Sequence, residues 1–208
     1  MLRQEPSKTY KFFKSIPVFG GFFAISNAYA SKGDSYGNVR VAPLNEWWKR
    51  IFRKAYYVLV FTSILAIISQ YIGRPFCSWE WEPADTILGA YPSILGFGIG
   101  VYALMFIMPS DFLEFLLKKK ESGKSAVGPE IVPVDMGFPL LSYVLVMFIA
   151  VLNKVFPELY YFRFFSLWGL FYGLAMTIEL IYFLYLSSRM IQTIRSEKNA
   201  SKPKKFYY

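Results

Sequence analysis

The fold class predicted by this sequence is an all-α membrane protein: four transmembrane helices, both termini cytoplasmic, an interfacial N-terminal arm and a short cytosolic helix after the second span. Three observations carry it. The first is where the apolar residues fall. The chain is 55% hydrophobic overall, a fraction that soluble domains approach, so distribution decides. No charge occurs from Ala55 to Gly73, from Thr86 to Ser110 or from Met136 to Asn153, and Phe164 to Ser188 holds one, Glu179. About 20 apolar residues suffice for a helix to cross a hydrocarbon core. The second is charge asymmetry. All but three of the 23 lysines and arginines fall before the first run, between the second and third, or after the fourth. Cationic loops stay cytoplasmic, and only Arg74, Lys154 and Arg163 fall on the other side. The third is an absence: the chain has no histidine and a single cysteine, Cys77. That excludes an intramolecular disulfide, histidine-ligated metals, Ser–His dyads and histidine proton relays.

Taken in order, residues 1–54 form the cytosolic or interfacial basic-aromatic arm. Tyr10–Ala30 imitates a signal peptide, ending in Ala28-Tyr29-Ala30. Cleavage there would leave Lys49–Lys54 outside and invert the charge rule, so the segment is read as uncleaved, interfacial or re-entrant. Pro17 and Gly20-Gly21 argue against one continuous helix. Next, Trp47, Trp48, Phe52, Tyr56 and Tyr57 interleave with Lys49, Arg50, Arg53 and Lys54. This is the pattern of a headgroup boundary, where aromatic rings and cations anchor to anionic lipid. Its place against a span argues for membrane anchoring and against direct nucleic-acid binding.

The four-helix domain covers 55–188, with spans at about 55–73, 88–108, 136–153 and 164–188. The outer loop 74–85 sets Trp79 and Trp81 beside Glu80, Glu82 and Asp85, read as an aromatic belt with solvated acids. The cytosolic loop 109–135 contains Asp111 and Glu114 at capping-box spacing, which predicts a short helix. A Gly/Pro-rich stretch follows, with Asp135 expected as the cap of span three. Gly123-Lys124-Ser125 matches only the end of a P-loop. Lys118 stands where that motif needs glycine, and no strand precedes it. Residues 189–208 form a basic cytosolic tail.

Span two contains Gly96, Gly98 and Gly100. A dinucleotide loop needs G-x-G-x-x-G between a strand and a helix at the edge of water; here the spacing is G-x-G-x-G inside an apolar run. A potassium-type filter needs a turn back toward the outside before the next span, and "IGVYALMFIM" provides none. Helix packing fits. Gly89, Ser93, Gly96, Gly100 and Ala103 recur at alternating steps of four and three, a seam along one face. Gly169, Gly173 and Thr177 make a second small face on span four. In lipid, helices associate where small residues let backbones approach, so both faces are expected to pack, within one chain or between copies.

Glu179 lies nine residues, ~13 Å, from the predicted cytosolic end of span four. A charge in that layer is costly, and no lysine or arginine falls inside a predicted span to pair with it. It stands roughly 200° around the helix from Thr177. Two roles are open: a pore-lining or switching acid, and a neutral acid hydrogen-bonded inside the bundle.

The functional expectation is a non-catalytic polytopic protein that self-associates and serves as membrane scaffold or sensor for a cytosolic protein partner. The alternative is an oligomeric ion-conducting pore lined by Glu179. No catalytic residue, metal site or cofactor is expected. Small four-span bacterial proteins of this type act beside soluble partners in signalling or antiviral defence; no residue here carries that analogy. The expected location is the plasma membrane, the inner one in a bacterium.

Overall fold

The computed structural model describes residues 6–33, 40–74, 76, 79–104, 110–122 and 128–200. Cys77 and the partial P-loop match at 123–125 lie outside them. The described residues form helices and no strand: α1 (Lys8–Ser15), α2 (Phe19–Ala30), α3 (Leu44–Trp47), a π turn (Trp48–Phe52), α4 (Arg53–Tyr71), α5 (Pro83–Leu104), α6 (Ser110–Glu121), α7 (Ile131–Val155) and α8 (Tyr160–Ala200). Four segments are long and apolar enough to cross a membrane: Leu44–Tyr71, Pro83–Ala103, Ile131–Val155 and Tyr160–Ile194.

Each of these helices runs past its expected limit. The first begins at Leu44, so the Trp47–Lys54 stretch of the arm belongs to it. The third begins at Ile131, which puts Asp135 inside α7 instead of at its cap. The fourth continues through Arg189 to Ala200, so the first half of the expected tail is helical. Charge ends a span in sequence only when it must meet water; here Arg50, Lys54 and Asp135 find partners across the bundle, and the α8 extension packs through Met190, Ile191 and Ile194. Proline marks the helix starts and bends. Pro83 opens α5 and Pro133 sits in the first turn of α7, where a missing N–H costs nothing. Pro92 and Pro139 lie inside their helices and remove the bonds to the carbonyls of Leu88 and Asp135.

The arm folds back on itself. α1 ends at Ser15, Val18 turns the chain with φ 66°, and α2 returns, with Phe23 stacked on Phe13 at 5.0 Å. The break falls at Ile16–Val18, around Pro17, while Gly20-Gly21 lies within α2. Gly20 abuts the Lys14 carbonyl so closely that a Cβ has no room. Asn27, fully buried, ties the far end of the following loop to α2. Its Nδ2 donates to the Arg40 carbonyl at 2.9 Å, and its Oδ1 accepts from the Ala42 N–H at 2.7 Å.

α7 and α8 form the centre of the bundle, α5 packs on both, and α4 lies along α8. The core runs through Ile87, Tyr91, Met136, Tyr143, Val146 and Met176. The two small faces differ in what they meet. On α8, a Cβ at Gly169 would stand 3.2 Å from Val146, and one at Gly173 only 2.5 Å from Tyr91. Tyr91 donates to the Leu170 carbonyl at 2.5 Å, and Tyr143 donates to Thr177 at 2.8 Å. On α5, Ala84, Ile87, Tyr91 and Gly98 face the core, while Gly89, Ser93, Gly96, Gly100 and Ala103 are exposed. A Cβ at Gly89, Gly96 or Gly100 would meet nothing within 4 Å. The α5 seam packs against nothing within the described chain.

Charged groups collect at two levels. One holds Arg50, Lys54, Asp135 and Glu179; the other holds Glu82, Asp85, Lys154 and Arg163. Asp135 to Lys154 along α7 is about 28 Å, and Arg163 to Glu179 along α8 about 24 Å, at about 1.5 Å per residue. A hydrocarbon core is about 30 Å thick. At the second level Arg163 is buried, its Nη2 donating to the Trp79 carbonyl at 2.5 Å and lying 3.2 Å from Glu82. Lys154 meets Asp85 at 2.7 Å. Two of the acids expected to be solvated are therefore ion-paired.

Gly173→Leu is expected to lower stability by about 1–3 kcal/mol through overpacking against Tyr91. Gly100→Leu, facing open space, should leave the isolated chain unchanged. Helix loss on titrating detergent-solubilised protein with denaturant measures both.

Candidate functional site

The charged level nearer the arm is organised by Tyr29, in the last turn of α2. Its ring stacks on Phe138 at 4.1 Å and 8°, and the Arg50 guanidinium stands 4.2 Å from its centroid. Arg50 Nη1 donates to the Tyr29 carbonyl at 2.6 Å, and Nη2 to Asp135 Oδ1 at 2.9 Å. A cation suits that position, because the last carbonyls of a helix carry its partial negative charge, and the Tyr29 carbonyl, which accepts from the Lys32 N–H at 3.2 Å, has a second lone pair to offer. The Tyr29 hydroxyl accepts from Lys54 Nζ at 2.9 Å and donates to Glu179 Oε2 at 3.3 Å. Lys54 Nζ also donates to Glu179 Oε1, closing an ion pair. Burial first, then the Glu179 carboxylate, push the phenol well above the usual tyrosine range, so Tyr29 keeps its proton and donates.

The absence of a cation partner for Glu179, expected from sequence, is thus corrected. Lys54 lies at the first turn of α4, which packs along α8 and brings the ammonium to the carboxylate. Arg50 and Lys54 are one helical turn apart and share a face, so one element delivers both cations. The acids come from α7 and α8, and α2 inserts the phenol between the two pairs. The π turn at Trp48–Phe52 lies in this same stretch; such bulges gather at functional sites.

The six expected interface anchors separate. Arg50 and Lys54 turn inward to the cluster. Trp47 is half-buried, stacked on Phe23 at 6.2 Å and on Phe52 at 6.0 Å. Trp48, Lys49 and Arg53 are exposed, with Lys49 3.9 Å from Glu46. Sequence reasoning missed Tyr29 and the pairing of Asp135. The available signal was the polar group Ser26, Asn27 and Tyr29 at the end of an otherwise apolar segment of helical length.

Beside Tyr29 lies a half-open cavity of about 200 Å³, lined by Arg50, Asp135, Glu179, Tyr182, Phe183 and Leu186. The cluster sums to no net charge, with two cations against two carboxylates. Among the described residues, no group of three His, Cys, Asp or Glu side chains gathers to hold a metal. Such a cluster can clamp the arm to the bundle and present both donors and acceptors to the cavity. The chain matches no protein-family model, no curated protein and no solved structure.

Arg50 and Asp135 are mostly buried, with 19% and 18% of their side chains exposed. Arg50→Met alone strands a carboxylate and is expected to cost about 3 kcal/mol. Arg50→Met with Asp135→Leu should cost clearly less than the two single changes together. A double-mutant cycle on unfolding free energy checks this.

Proposed function

We propose that this protein is a non-catalytic, multi-pass membrane scaffold or sensor that self-associates through α5 and engages a cytosolic partner. The observation that carries the reading is the contrast between the two small faces. The α8 face is filled by Val146 and Tyr91, while the α5 face at Gly89, Ser93, Gly96, Gly100 and Ala103 is left open by the chain's own helices. In lipid an open small-residue face gains dispersion contacts when a second helix docks on it, and a second copy presents the same face.

On this reading the arm, α6 and the end of α8 lie on the cytoplasmic side with both termini, as the excess of cations there favours. α1 carries Lys8, Lys11 and Lys14 beside exposed Phe12 and Phe13, and the exposed Val18 and Phe19 follow at the turn. That combination suits a helix lying in anionic headgroups. The extension of α8 packs Met190, Ile191 and Ile194 with Leu116 of α6 and Val132, giving a rigid platform for a soluble partner. The pore reading has less support, since the Glu179 carboxylate is engaged by Lys54 and Tyr29.

Gly96→Leu with Gly100→Leu is expected to weaken self-association at least tenfold, about 1.4 kcal/mol, without lowering stability. Dilution-dependent oligomer counting in lipid nanodiscs reads the first and denaturant titration the second. Unchanged oligomers would remove α5 as the interface. Ion flux in vesicles that Glu179→Gln alters would favour the pore.

A further inference from the structure

We propose that the cavity beside Tyr29 binds the headgroup of an ethanolamine phospholipid, whose ammonium and phosphate match the acids and bases on its wall. The inference rests on the four long helices crossing a bilayer and does not depend on self-association.

The hydrogen-bonding capacity of the wall points to such a ligand. Asp135 uses Oδ1 for Arg50, and no described residue donates to its Oδ2. A carboxylate has about four acceptor sites, and a guanidinium about five N–H donors. The described bonds of Arg50 go to the Tyr29 carbonyl and Asp135, so donors remain beside the free acceptors. A lone cation or anion would unbalance a cluster already neutral in sum; a zwitterion adds one partner for each sign. The volume of about 200 Å³ is several times the ~30 Å³ share of a water molecule, enough for the phosphoethanolamine group and too small for a whole lipid.

The position of the cavity supplies the second argument. It sits at one end of the apolar length of α7 and α8, the depth at which headgroups lie. Ile178, Tyr182 and Leu186 follow one another at steps of four on α8, hence on one face, and are 69%, 60% and 41% exposed. Tyr182 and Leu186 line the cavity, and Ile178, one turn toward the middle of the apolar layer, continues that face as the start of a lane for an acyl chain. A primary ammonium donates three hydrogen bonds to the carboxylates. A trimethylammonium donates none and is bulkier, so the site should separate ethanolamine from choline lipids.

The test uses the full chain, purified in mild detergent and exposed to equal amounts of phosphatidylethanolamine, phosphatidylcholine and phosphatidylglycerol, with retained lipid counted by native mass spectrometry. Wild type should retain the ethanolamine lipid about tenfold over the choline lipid, the scale of one charge-assisted hydrogen bond. Leu186→Trp, which fills the cavity and leaves the ion pairs in place, should abolish that preference with helicity unchanged. Asp135→Asn should reduce it independently. Equal retention of the two lipids, or full preference in Leu186→Trp, would overturn the proposal. Preference for phosphatidylglycerol would mark a plain basic patch and overturn it as well. Displacement of the lipid by an equimolar amount of free phosphoethanolamine would show that the acyl chain adds nothing and would overturn the membrane as the source of the ligand.

Discussion

Charge inside an apolar bundle must be matched, and that requirement governs the arrangement of this protein. Arg50, Lys54, Asp135 and Glu179 come from three long helices, and desolvating any one of them unpaired costs several kcal/mol. Their pairing fixes how α4, α7 and α8 register against one another. Tyr29 lies between the pairs and ties a fourth element, α2, to the same point. The arm is therefore part of the bundle: its last turn is a structural component of the charge cluster.

The matching is repeated at the far end, where Arg163 and Lys154 meet Glu82 and Asp85. Between the two levels the helices are held by shape. Tyr91 fills the space left by Gly173, and Val146 the space left by Gly169. Lipid provides no hydrophobic drive for helix association, so close backbone approach and buried hydroxyl bonds carry that middle layer. α5 contributes one face to this packing and leaves its other small-residue face open, and the self-association proposed above depends on that asymmetry.

Much of the architecture was legible in the sequence, since an apolar run of this length has one regular way to satisfy its backbone in lipid. The four runs each became a long helix, α6 arose near the capping-box spacing, and Pro17 marked the break in the arm. The starts of the first and third helices were misplaced for one reason. Lys54 and Asp135 were read as ends of apolar segments, while in three dimensions each is neutralised by a residue far along the chain. The same non-local pairing hid the partner of Glu179, which lies 125 residues away in Lys54. The seams were visible as spacing, but the side on which Tyr91 would fall decided that the α8 seam packs within the chain and the α5 seam does not. No spacing rule contains that choice.

The charge cluster depends on the docking of α2 through Tyr29, and a proximity measurement tests that docking most directly. A Cβ at Gly137 would lie 3.9 Å from Ile25 Cγ2. In a Cys77→Ser background, Ile25→Cys with Gly137→Cys should form a disulfide under mild oxidation in membranes. Adding Tyr29→Ala, which removes the central hydroxyl, should slow that cross-link about tenfold or more while the helices stay folded, the scale of a lost bond to a charged group. Absence of the cross-link in the pair alone, or an equal rate after Tyr29 is removed, would contradict the account.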